Sequence, residues 1–117
     1  MPKMIRTTLG EWFANPTYND YGIYIIACYP AFGCIYIGIS NRVERRLREH
    51  VYGDKPLGDF LRTTIADACG YRLDIFIPPE DEINPQKWCR DYEVRLVEYF
   101  RPIFNQQHLG EKLPNVS

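Results

Sequence analysis

Gly22-Ile23-Tyr24-Ile25-Ile26-Ala27-Cys28-Tyr29-Pro30-Ala31-Phe32-Gly33-Cys34-Ile35-Tyr36-Ile37-Gly38-Ile39 reads as two short strands and the loop between them. From Tyr21 through Asn41 no residue is charged, and hydropathy alone would suggest a membrane span. Pro30, Gly33 and the tyrosines interrupt that run, so its length suits two buried strands, Gly22–Cys28 and Cys34–Ile39, rich in isoleucine and tyrosine. A register that pairs residue 28 with residue 34 sets Tyr24 opposite Gly38 and Ile26 opposite Tyr36. Both tyrosines then share one face, with Gly38 leaving space beside Tyr24, while Ile23, Ile25, Ile35, Ile37 and Ile39 line the other. Strand-favouring aromatics would also explain two tyrosines here; a slip of one residue would separate them.

Directly after the hairpin, Ser40 or Asn41 caps a helix expected to run to about Val51. Val43, Leu47 and Val51 form its buried stripe. Arg42, Arg46 and His50 follow at i, i+4 and i+8 along a ridge beside that stripe, with Arg45 and Arg48 off it. A solvated face partnered by Glu44 and Glu49 is the ordinary reading of any one of these arginines. Two guanidiniums and an imidazole in line are also where a phosphate could lie, because guanidinium suits bidentate phosphate contact.

Working outward, Thr8-Leu9-Gly10-Glu11 is a capping-box pattern leading into Trp12 and Phe13, and Asn15-Pro16 ends that short helix. Pro56 begins another helix, with Leu57, Phe60, Leu61 and Ile65 at helical spacing, ending near Gly70. Tyr71–Ile77 is a third strand, closed by Pro78-Pro79 and followed by the acidic loop Glu80-Asp81-Glu82. Asn84-Pro85 opens the last long helix, to about Phe100. On its wheel Cys89, Leu96, Val97 and Phe100 lie near Glu93, with Trp88, Tyr92 and Tyr99 extending the stripe, so Glu93 is a carboxylate within an apolar face. Burying it without a partner would be costly, so either an arginine or a divalent metal is expected beside it.

The whole chain bounds these readings. Its 117 residues, 45% hydrophobic and 25% charged, suit one soluble α/β (α+β) domain: a three-stranded, mainly antiparallel sheet flanked by helices. Residues 22–105 form the expected core, 1–21 a helical extension and 106–117 an irregular tail. A net charge of −1 means that any grip on nucleic acid must come from local clusters of positive charge. The N-terminus has no apolar core segment or cleavage site of a secretory signal. Cys28, Cys34, Cys69 and Cys89 lack metal-site spacing and suit buried thiols in a reducing cytosol, so a cytoplasmic protein is expected.

Gly22-Ile23-Tyr24, eleven residues, then Tyr36-Ile37-Gly38 resembles the GIY-YIG nuclease family. That family includes homing endonucleases, some restriction enzymes and the incision domain of bacterial excision repair. Arg46 stands ten residues after the second motif tyrosine, as in the family, and His50 one turn later. Glu93 matches the family's metal-binding glutamate, and Pro102-Ile103-Phe104-Asn105 its late asparagine. The resemblance covers 22–105 and implies an endonuclease that hydrolyses phosphodiester bonds, with DNA as the expected substrate. It implies one Mg²⁺ or Mn²⁺ per active site on Glu93, and Arg46 on the scissile phosphate. His50 is expected at the phosphate or leaving oxygen, a tyrosine as general base (Tyr24 favoured, Tyr36 orienting the water), and Asn105 as an anchor. Arg42, Arg45, Gly38 and Ser40 are the expected substrate-binding neighbours. Ile39 stands where some relatives have a lysine. The rival readings are a catalytically silent nucleic-acid-binding module and a protein-interaction domain on the same fold. Target choice would fall to a homo-oligomer, a partner or substrate shape.

Overall fold

The computed structural model of the chain describes residues 3–28, 33–53, 55–63 and 71–104. The elements run β1 (Lys3–Thr8), α1 (Leu9–Ala14), β2 (Gly22–Cys28), β3 (Gly33–Ser40), α2 (Val43–Tyr52), α3 (Pro56–Thr63), β4 (Arg72–Ile77) and α4 (Pro85–Phe100). Among the described residues the sheet has four strands in the order β1-β4-β2-β3, every pairing antiparallel. The uncharged run thus folds as the β2–β3 hairpin, and no helix among the described residues is long and apolar enough to cross a membrane.

The expected three strands become four because Lys3–Thr8 pairs with β4 along its whole length, from Lys3↔Ile77 to Thr8↔Arg72. Across that pair Arg6 donates to the buried Asp74 at 3.0 Å, and Arg72 reaches the same carboxylate at 3.1 Å. Two guanidiniums on one carboxylate satisfy a charge that would be costly alone. The chain then turns straight into α1, where the Thr8 hydroxyl accepts from the Glu11 N–H at 3.2 Å.

The hairpin register sets Tyr24 opposite Gly38 and Ile26 opposite Tyr36, as expected. Towards the loop it shifts: Ala27 faces Cys34 and Cys28 faces Gly33, so residue 28 does not pair with 34 and Ile35 is the extra residue of a β-bulge. The bulge turns Ile35 away from the other isoleucines into the core on the tyrosine face.

Helices cover both faces of the sheet. On the tyrosine face α1 (Leu9, Trp12), α2 (Val43, Leu47, Val51) and α3 (Leu57, Leu61) close over Tyr24, Ile26, Leu73 and Ile75. On the other face α4 sets Cys89 and Val97 against Ile23, Ile25, Cys34 and Ile37. The α4 start follows from Asn84, whose side chain accepts from the Lys87 N–H at 3.1 Å, with Pro85 in the first turn, where a missing N–H costs nothing. Its far end runs past the sheet, so Phe100 and Tyr99 are 37% and 80% exposed rather than part of the buried stripe. β3 extends through Ser40, which moves the α2 cap on to Arg42.

Candidate functional site

β3 is an edge strand, and its far end passes from the buried Gly38 to the half-buried Ile39 and Ser40. Gly38 makes that end thin. A Cβ there would fall 2.8 Å from Tyr36 Cε2 and closer still to the Tyr24 phenol, so the Tyr24 ring occupies the space a side chain would need. The two tyrosine rings lie 6.1 Å apart between centroids, and His50 packs 5.7 Å from Tyr24 and 4.9 Å from Tyr36. Tyr24 Oη and His50 Nε2 share a hydrogen bond at 2.8 Å. Tyr24 is 1% exposed, whereas Tyr36 and His50 are half-buried.

The α2 helix delivers His50 to this cluster from its last turn and its arginines from the first. Ser40, Asn41, Arg42, Arg45, Arg46 and Glu49 line an open groove of about 450 Å³ beside Ile39. Glu49 accepts from Arg46 at 3.1 Å and from Arg45 at 3.3 Å, holding both guanidiniums in the groove. Arg48 points elsewhere, pairing with Glu44 at 3.1 Å. Ser40 Oγ accepts from the Arg42 N–H at 2.9 Å, fixing the turn that leads into the helix. Arg45, which helical spacing sets off the ridge, thus shares the groove with Arg42 and Arg46.

Charge and burial set the protonation of the cluster. Burial pushes the Tyr24 phenol well above its ordinary pKa of 10, with Tyr36 adding to the rise and Arg46 opposing it. Tyr36 is also raised by burial, while Arg46 and the Tyr24 hydroxyl draw it down. Burial first, then Arg46, lowers His50 from 6.5 to about 4, so its ring is neutral at ordinary pH. Glu93 joins from the opposite face: half-buried on α4, its negative charge raises Tyr24, Tyr36 and Cys89. One carboxylate thus acts electrostatically on both motif phenols.

Among the described residues no three His, Cys, Asp or Glu side chains gather into a metal cluster. A single carboxylate near two phenols suits a hard cation that keeps most of its waters and takes few protein ligands, so Glu93 fits such a group. Of the expected site residues, Tyr24, Tyr36, Gly38 and His50 come together, Arg46 and Glu93 act on them by charge, and Ser40, Arg42 and Arg45 line the adjoining groove. Asn105 lies outside the described residues. The chain just before it is brought to α3, where Phe104 meets Phe60 edge-on at 5.3 Å.

Arg62 was not singled out from sequence. Its Nη1 donates to the Val51 and Gly53 carbonyls at 2.5 and 2.6 Å, closing the C-terminal end of α2. Only knowing where α2 stops would have drawn attention to it.

Compared with known proteins, residues 20–66 match the family model described as the GIY-YIG catalytic domain. The match spans Tyr24, Tyr36, Arg46 and His50 and stops short of Glu93. No curated protein and no solved structure matches.

Proposed function

We propose that the chain, whose residues 20–66 match the GIY-YIG catalytic domain model and so point to function of the nuclease type, is a metal-dependent endonuclease that hydrolyses phosphodiester bonds in DNA. The observation that carries this reading is the joining of two phenols and a neutral imidazole, hydrogen-bonded at 2.8 Å, to an arginine-lined groove at an open sheet edge. The arginines suit a phosphate, and the phenol–imidazole pair suits the proton that an attacking water must lose.

Arg46 presents its fork to the scissile phosphate, displacing Glu49, and Arg42 and Arg45 hold the neighbouring backbone. The resemblance favours Tyr24 as the base; because Tyr36 is the more open of the two, this reading gives it the water instead. Tyr36 takes the water's proton while passing its own to Tyr24, and Tyr24 passes one on to His50 Nε2, in the tautomer that carries its proton on Nδ1. Burial first, and then the Arg46 charge, lower the basicity of His50; the negative charge of a bound phosphate offsets the second of these and so favours the relay. A divalent cation on Glu93 would supply Lewis-acid charge at the phosphate when bound. GIY-YIG nucleases generally use divalent ions, which agrees with this assignment.

Glu93→Gln tests the reading. Incubated with circular, linear and single-stranded DNA in Mg²⁺ or Mn²⁺, the parent should cut and the variant should fall to background, because an amide is a poor ligand for a hard cation. In chelator the variant should melt no lower than the parent. Undiminished cutting by the parent in excess chelator would refute the metal assignment; a large loss of melting temperature would make Glu93 structural.

A further inference from the structure

We propose that the recess between the end of β3 and the first turn of α4 seats one unpaired nucleobase of the substrate, next to the phosphate held by the arginine groove. The proposal rests on the nuclease reading and deepens it, because it names the kind of DNA the site prefers.

The recess is lined by Tyr21, Ile39, Ser40, Asn41, Gln86 and Cys89 and has a volume of about 290 Å³. That lies at the small end of ligand pockets, at a size for one ring system. It shares Ile39, Ser40 and Asn41 with the arginine groove, so the two are one continuous track. A strand whose phosphate rests against Arg42, Arg45 and Arg46 therefore has an adjoining base within reach of the recess. Glu93 lies one helical turn beyond Cys89 on α4, so the same strand passes the expected cleavage point.

The chemistry of the two halves differs in a way that suits the two halves of a nucleotide. The groove carries three arginines. None of the described residues that line the recess is charged, and burial holds the Cys89 thiol neutral by raising its pKa to about 11. Its walls combine a phenol ring, the side chain of Ile39 and a thiol with the amides of Asn41 and Gln86, which sit exposed at the mouth. Apolar walls and an aromatic ring accept a base face, and amides offer the donor and acceptor pairs that base edges need. A phosphate would find no counter-charge there.

Beyond Tyr21 the surface changes sign. Tyr21 also borders a wider groove that contains Asp20, Glu80, Asp81 and Glu82 against the cation of Lys3, which pairs with Glu80 at 3.5 Å. Those carboxylates repel a phosphate backbone, so the track ends at the recess instead of continuing past it. A base stacked and paired in a duplex cannot enter such a recess without the expense of unstacking, which is least for a nucleotide that is already unpaired. The preferred substrate is then a single strand, or a duplex with an unpaired nucleotide beside the scissile phosphate.

The test measures anisotropy of a short fluorescein-labelled DNA strand in chelator, with and without abasic residues in its centre. The parent should bind the intact strand roughly tenfold more tightly than the abasic one. Gln86→Ala, a surface change that leaves the fold alone, and Tyr21→Leu should each shrink that preference while leaving affinity for the abasic strand unchanged. Equal binding of both strands by the parent, or an undiminished preference in both variants, overturns the seat. A parallel cleavage assay with Mg²⁺ compares a fully paired duplex with one holding a single unpaired nucleotide, and faster cutting of the second supports the proposal. If neither duplex nor the single strand is cut, the nuclease reading fails while the binding preference still decides the seat. Equal cutting with no base preference removes the seat and leaves the nuclease intact.

Discussion

At the scale of single residues, the site depends on an atom that is not there. A Cβ on residue 38 would overlap the Tyr24 phenol and stand 2.8 Å from the Tyr36 ring. Gly38→Ala should therefore push the Tyr24 hydroxyl off His50, cost about 1–3 kcal/mol as an overpacking change, and lower cleavage at least tenfold in a folded protein. Circular dichroism and a cleavage rate check it; normal cutting would show that the phenol position is not critical. His50 gives a second residue-level prediction. Its folded pKa of about 4 lies below the ordinary 6.5, so between those values the unfolded chain binds the extra proton. The stability that His50 contributes is full above 6.5 and is lost as pH falls towards 4. His50→Asn should flatten the fall in melting temperature over that window; an unchanged acid limb would mean that the ring is not held neutral.

Between elements, the decisive contact is the brace of α3 on the end of α2. The α2 turn that carries His50 leaves carbonyls without helical partners, and the Arg62 guanidinium takes those of Val51 and Gly53 while its other nitrogen holds Asp59 at 2.7 Å. Gly58 lets the helices approach, since a Cβ there would lie 2.6 Å from the His50 carbonyl. Arg62→Met should cost about 1–2 kcal/mol and lower kcat with little change in KM, because His50 shifts against Tyr24; Arg62→Lys should recover part of both. A variant that loses stability but keeps kcat would make the brace architectural only. Such contacts also mark the limit of what the sequence discloses. The hairpin, α2 and α4 were legible because isoleucine runs, helical spacing and the Asn84-Pro85 cap are local signals. The strand Lys3–Thr8 was not, since its two basic residues, Lys3 and Arg6, look like a solvated leader until Arg6 finds Asp74, 68 residues away. The Ile35 bulge was equally hidden, because inserting one residue flips a face without altering composition. At the site, Tyr24, Tyr36, Gly38 and Arg46 could be read from a motif and its spacing. The difference in burial between the two tyrosines, Tyr24 enclosed and Tyr36 half-open, could not.

Over the whole molecule the near-neutral charge conceals a division. Fourteen basic and fifteen acidic side chains sum to −1, yet Arg42, Arg45 and Arg46 crowd one groove while Asp20, Glu80, Asp81 and Glu82 border another, and the recess lies between them. On the proposed reading a substrate phosphate meets the first set at contact distance and the second only through the field. These two influences respond differently to salt. Contacts release counterions, so three arginines on phosphates should give a slope of about −2 to −3 in log K against log salt. The acidic loop acts through solvent, where charges separated by more than about 8 Å are largely screened at physiological ionic strength. Glu80→Gln, Asp81→Asn and Glu82→Gln combined should therefore strengthen DNA binding at low salt, with the gain fading as salt approaches physiological strength. Arg42→Ala should make the slope shallower by about 0.7–0.9 and weaken binding to all sequences alike. Titrations of the parent and both variants over a salt series distinguish the outcomes. A parent slope near zero would remove the arginine groove as a phosphate track. A gain from the loop variant that persists undiminished at high salt would mean that the loop touches the nucleic acid directly, and that the strand runs on past Tyr21.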